Sequence, residues 1–147
     1  MAYKFNTLFD AWKAVAEKLS GRKVILRFQQ PASKNADGEL QCLSDGTALI
    51  DINPNLSSSR EIWVLAHECF HAKSHFKEMG RIDKRDALRK KPAQEKFNAF
   101  RAYDRMELEA NTQANKWIEY AEKNWKRYLP GTELECKLEA LLEMKDE

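Results

Sequence analysis

Cysteine is scarce in this chain of 147 residues. Cys42, Cys69 and Cys136 are an odd number with no CxxC pair. That count argues against a disulfide framework and against a cysteine-rich zinc knuckle. The first residues, Met-Ala-Tyr-Lys-Phe-Asn, lack the apolar core of a signal peptide. No window approaches the ~18 consecutive apolar residues of a membrane span. The expectation is therefore a protein of the reducing cytosol, with no membrane partner. Charge of one sign is missing too: 25 Lys and Arg against 23 Asp and Glu leave a net +2. A protein that coats nucleic acid indiscriminately carries a larger excess of positive charge. Histidine is rarest in its distribution, because all three residues, His67, His71 and His75, fall within nine positions of one segment.

What is present is an ordinary globular composition, 43% apolar and 33% charged. The length fits one domain spanning residues 1–147, without repeats or linkers. Leu8, Phe9, Trp12, Val15, Ala16 and Leu19 recur at helical spacing, with Asn6 or Thr7 as cap and Gly21 as stop. Residues 23–28 are strand-like. Two short strands, 40–44 and 47–52, flank Asp45-Gly46, a strong hairpin signal. Ser58 and Glu61 have the spacing of a capping box ahead of an apolar run. The spacing predicts a helix from about Ser59 to Met79, with Gly80 as its stop. A long helical pattern covers 93–128 beyond Pro92, and Leu134, Leu138, Leu141 and Leu142 mark a last helix. Residues 73–96 carry nine basic and four acidic residues, a net of 9 − 4 = +5. That segment reads as a solvated face or as a surface for an acidic or DNA-bound partner. The tail 132–147 has two basic and six acidic residues, a net of 2 − 6 = −4.

The chemistry sits at His67-Glu68-Cys69-Phe70-His71, an H-E-x-x-H pattern on a predicted helix. Residues four apart share a helical face, so His67 and His71 can offer imidazole nitrogens to one ion, with Zn²⁺ the natural candidate. Glu68 is placed to take a proton from water as it attacks a carbonyl, and to return it to the leaving amine. His75 lies eight residues beyond His67, about 12 Å along a helix axis, too far to join it on one ion. It reads as a half-exposed helix residue or as a support for the ligands. Cys69, inside the motif, points off the ligand face and reads as a buried thiol. The third ligand is expected at Glu107, on the long helix. Asn111, one turn on, is placed to hydrogen-bond a ligating imidazole. Glu109 turns about 200° away from Glu107 and should face solvent. Tyr103, one turn before Glu107, reads either as a donor to a developing oxyanion or as a core aromatic.

Together, Gly46-Thr-Ala-Leu-Ile-Asp-Ile-Asn53, the segment ending Ala66-His-Glu-Cys-Phe-His71 and Glu107-Leu-Glu-Ala-Asn111 resemble the ImmA/IrrE-type zincin-like metallopeptidases. The resemblance covers residues 46–118, about half the chain. It implies an α+β zincin-like fold: a small antiparallel sheet packed with the H-E-x-x-H helix, followed by a helical C-terminal half. It implies zinc on His67, His71 and Glu107, Glu68 as catalytic base and Asn111 behind the ligands. The function it implies is a zinc-dependent endopeptidase acting on a protein substrate, with phage or mobile-element repressors as one class. In zincins the substrate adds as a strand to the sheet edge nearest the metal, and Thr47–Ile52 is the expected edge. The chain departs from the family at Thr112-Gln-Ala-Asn-Lys-Trp-Ile118, which lacks the usual Phe-Ala and Leu-Leu-Met-Pro-like run. That departure, with the basic segment, motivates an alternative: a catalytically silent regulator that keeps the fold to bind protein or nucleic acid. SprT-like peptidases share the Ile-x-Ile-Asn strand but take a downstream histidine, which this sequence does not supply.

Overall fold

A computed structural model describes residues 5–33, 35–82 and 93–145, with side chains over 80–100 outside the description. Helix α1 spans Leu8–Ser20. Thr7 caps it by accepting from the Asp10 amide, and Gly21 ends it at φ +66°, where a side chain would be strained. Its apolar stripe, Trp12, Val15, Ala16 and Leu19, is buried. Strands β1 (Val24–Phe28), β2 (Gly38–Cys42) and β3 (Ala48–Ile52) follow. Asp45 and Gly46 turn the chain between β2 and β3: Gly46 takes φ +90°, and the Asp45 side chain accepts from the Thr47 amide at 2.9 Å. The hairpin is the one expected, with β2 beginning two residues earlier than its sequence pattern.

The sheet is mixed rather than wholly antiparallel. Its order is β1-β3-β2, with β2 antiparallel and β1 parallel to β3. Parallel pairing matches Val24 with Ala48, Leu26 with Ile50 and Phe28 with Ile52, all buried but Phe28, which is half-buried against the core. Arg27 faces Asp51 across this pair and donates to both carboxylate oxygens, at 2.7 and 2.9 Å. β3 is consequently the central strand, and Thr47–Ile52 is not the edge. The edge strands are β1 and β2.

Helix α2 runs Ser58–Ser74, capped by Ser57, whose side chain accepts from the Arg60 amide. It stops at His75, whose φ of −127° leaves the helical region. A separate helix α3, Phe76–Ile82, then continues through Gly80. The expected single helix to Met79 is therefore two, and no Gly or Pro announces the break. Helix α4 spans Ala93–Asn124 and a 3₁₀ turn Trp125–Tyr128, and α5 covers Glu133–Glu143. Beyond residues 73–79, most of the basic segment and the interruption at Pro92 lie outside the described residues. One apolar cluster joins these layers: Val15 of α1, Val24 and Ile50 of the sheet, Ile62 and Leu65 of α2, Ala114 and Ala121 of α4, and Leu138 and Leu141 of α5. Lys18 of α1 donates to the carbonyls of Leu141, Leu142 and Met144, a cation set at the C-terminal end of α5. Among the described residues no helix is long and apolar enough to cross a membrane.

Candidate metal centre

α2 lies between the sheet and α4, so its buried face meets strand backbone on one side and α4 side chains on the other. Ile62, Val64, Leu65, Ala66, Cys69 and Ala72 are buried in the core that α2 shares with α1 and the sheet. The Cys69 thiol packs toward the Ala16 carbonyl, and burial raises its pKa. It is a buried thiol facing away from the ligands, as the helical spacing implies.

On the α4 side, Nε2 of His67 and Nε2 of His71 are 3.2 Å apart. The Glu107 carboxylate reaches both, with Oε2 3.2 Å from His67 Nε2 and Oε1 2.8 Å from His71 Nε2. The two imidazole nitrogens and the two oxygens of the Glu107 carboxylate thus converge at close to ligand–ligand spacing. Ligands at the ~2.0–2.1 Å distances of four-coordinate zinc would stand about 3.3 Å apart. Two imidazoles and a carboxylate are also a donor set that suits a divalent transition ion. The three residues could therefore hold a metal ion, and their ligand atoms all lie within 4.8 Å of one another.

Electrostatics agree with this clustering. Burial works against the Glu107 charge, but hydrogen bonds to His67 and His71 outweigh it and hold the carboxyl well below its usual range. Burial lowers the His71 pKa; at His67 burial acts the same way, but Glu107 and Glu68 overcome it and raise the pKa. Glu68 is buried with Oε1 3.8 Å from His67 Nε2. Its pKa is pushed up to about 7, chiefly by burial, with His67 drawing it down and the carboxylates of Glu107 and Glu39 adding to the rise.

A cleft of about 500 Å³ opens over the cluster, lined by His67, Glu68, Glu107, Tyr103, Asn111 and the Asp37–Leu40 end of β2. Tyr103 and Asn111 thus share the site with the ligands, at the α4 positions their spacing implies. Asn111 also favours the protonated His67 ring. Even so, Nδ1 of His67 is buried without a hydrogen-bond partner. What holds that ring is Trp63, stacked on it at 5.2 Å and 25°, with the indole N–H donating to Asn115 at 2.8 Å.

Three residues exceed their sequence reading. His75 is buried, and its Nδ1 lies 3.1 Å from Nδ1 of His71. It is therefore not a half-exposed helix residue, and its ring lies beside that of His71. Glu109, expected in solvent, is half exposed, yet its Oε2 is 3.1 Å from His75 Nε2. A two-residue step turns the helix by 200°, but the glutamate stem and the imidazole both reach beyond the Cα positions that this angle describes. Gly38 is the third. A Cβ there would stand 2.4 Å from Val64 Cγ1 and 3.4 Å from Glu68 Cγ, so only glycine lets β2 lie this close to α2.

The IrrE N-terminal-like domain model of the M78 peptidases matches residues 22–118. The chain belongs to this family. The match takes in β1, the hairpin, α2 and α4 through Ile118. Membership, with the small three-stranded sheet packed among helices, makes the fold an α+β zincin-like one. The M78 family is one of peptidases and IrrE-like regulators, which sets the coarse class of this chain. No curated protein and no solved structure shows a significant match to it.

Proposed function

We propose that this M78-family chain is a zinc-dependent endopeptidase in which His67, His71 and Glu107 hold the ion. The observation that carries this reading is the convergence of those three side chains beside the buried carboxyl of Glu68. When bound, zinc supplies Lewis acidity toward a carbonyl oxygen and makes water easier to deprotonate. Glu68 takes the proton from the attacking water and delivers it to the leaving amine. Its burial raises its proton affinity, which suits a group that must both take up and release a proton. Tyr103, across the cleft, donates to the carbonyl oxygen as it gains charge. Asn111 and Trp63 keep the His67 ring in place.

The substrate lies along β2. Asn53 donates to Asp37 and Leu43 to Thr47, so the odd-numbered residues of this stretch face β3. The backbone groups of Gly38 and Leu40 then point away from β3, where an extended peptide entering the cleft between β2 and Met79 of α3 can pair with them next to Glu68. Such a substrate is a protein segment without fixed structure. A helix-turn-helix repressor of a phage or mobile element is the class the family resemblance suggests.

The test is metal content together with cleavage. The purified chain should carry about one zinc, and His67→Ala or Glu107→Ala should lose it. Glu68→Gln should keep the zinc and lose hydrolysis of candidate repressors by at least about 100-fold, read as fragments by mass spectrometry. Stoichiometric zinc in Glu107→Ala would remove Glu107 from the ligand set. Zinc binding with no cleavage of any protein would instead favour a regulator that keeps the fold.

A further inference from the structure

We propose that His75 and Glu109 are positioning residues: a two-step hydrogen-bond chain that fixes the outer proton of His71 and so sets how firmly His71 holds a metal ion. The proposal rests on the zinc reading above and goes beyond it in naming what orients one of the ligands.

The chain runs from His71 Nδ1 to His75 Nδ1 at 3.1 Å, and from His75 Nε2 to Glu109 Oε2 at 3.1 Å. Its direction follows from the groups it joins. A carboxylate offers only acceptors, so His75 must donate from Nε2. A singly protonated ring with its proton on Nε2 has a lone pair on Nδ1. His71 must then donate from its own Nδ1, which leaves the His71 lone pair on Nε2. That is the atom 2.8 Å from Glu107 Oε1. A lone pair and a carboxylate oxygen at that distance repel unless they share a cation. Without an ion His71 Nε2 donates to Glu107; with one it cannot, and the chain is what holds the ring in its ligating tautomer.

The surroundings suit this role. His71 and His75 are buried, and the edge of the Phe70 ring packs on His75 at 5.4 Å and 81°, so water does not compete for the bond between the rings. Glu109 is half exposed and held on its other oxygen by Arg105, 3.8 Å away. The break of α2 at His75 places that residue at the helix terminus, where its amide still closes on the His71 carbonyl at 2.8 Å. His67 provides the contrast within the same site. Its outer nitrogen has no partner, and stacking on Trp63 constrains the ring plane without choosing a tautomer. The two imidazoles are thus held differently: among the described residues, only the outer nitrogen of His71 meets a hydrogen-bond partner.

Loss of such an outer partner typically weakens metal binding by about 10–100-fold. The test is zinc affinity of the full chain, measured by competition with a chromophoric chelator. Nitrogen-15 histidine spectra of the zinc-loaded protein would be recorded in parallel. His75→Leu should bind zinc about 10–100-fold more weakly. His75→Asn, whose side-chain oxygen can replace the accepting nitrogen, should recover most of that loss. Glu109→Ala, at a half-exposed position that leaves the core intact, should weaken binding by about 10-fold, the low end of that range. The spectra should show His71 protonated on Nδ1 and His75 on Nε2. Unchanged affinity in both His75→Leu and Glu109→Ala would overturn the proposal, as would His71 protonated on Nε2. If the chain bound no zinc, or bound it equally well as His71→Ala, the zinc reading and this proposal would fall together. Affinity lost in His71→Ala but indifferent to His75 and Glu109 would sink this proposal alone.

Discussion

Trp63 shows how much a single side chain contributes around the ligands. It stacks on His67, anchors its indole N–H on Asn115 and lies under the Arg60 guanidinium at 4.6 Å. Aromatic pairs of this kind are worth about 0.5–1.5 kcal/mol beyond the area they bury. Among the described residues nothing hydrogen-bonds the outer nitrogen of His67, so that stacking energy, with Asn111, carries the orientation of the ring. Trp63→Ala should accordingly weaken zinc binding by about 2- to 12-fold, the same energy expressed as an affinity ratio. Trp63→Phe should keep most of it. Chelator competition on the three proteins measures both. An equal loss in the two variants would show that the Asn115 hydrogen bond, and not the stack, does the holding.

Among the elements, the contact of β2 with α2 brings the open sheet edge to Glu68, and Gly38 permits it. A methyl group there would meet Val64 Cγ1 at 2.4 Å, so strand and helix must separate or Val64 must move. Gly38→Ala should cost about 1–3 kcal/mol of stability by overpacking, read as a shifted denaturation midpoint in urea. It should also lower peptidase activity while zinc is retained. Val64→Ala in the same chain should return part of both. The hairpin and the two histidines of α2 were legible in the sequence because each depends on local chemistry, Asp45-Gly46 for the turn and a four-residue spacing for the paired imidazoles. The placement of β3 was not. Alternating apolar residues in β1 and β3 suit parallel and antiparallel pairing equally, so nothing local says which strand is central. The end of α2 was hidden as well, since His75 leaves the helical region with neither Gly nor Pro beside it. Glu107, Asn111 and Tyr103 could be read because they repeat every turn on one face of α4. Glu109 escaped because helical angles locate Cα atoms, and its carboxylate works at the end of a long stem.

At the level of the whole molecule, the N-terminal helix and the last described helix are joined. Lys18 donates to three carbonyls at the end of α5, and both helices share the apolar cluster with the sheet. α4 is held differently along its length. Its later half buries Ala114, Trp117 and Ala121, whereas Tyr103 and Glu107 are only half-buried and Leu108 is exposed. In the reading proposed above, the ion would bridge α2 and this less buried part of α4. It would then act as a cross-link closing the chain between His71 and Glu107, and its binding free energy would add to the stability of the arrangement it requires. The consequence is kinetic as well as catalytic. Backbone amides of residues 103–111 should exchange with deuterium faster after zinc is chelated, while those of 114–121 should change little. Hydrogen exchange followed by mass spectrometry would measure this directly, and equal protection of both halves without metal would show that packing alone fastens α4.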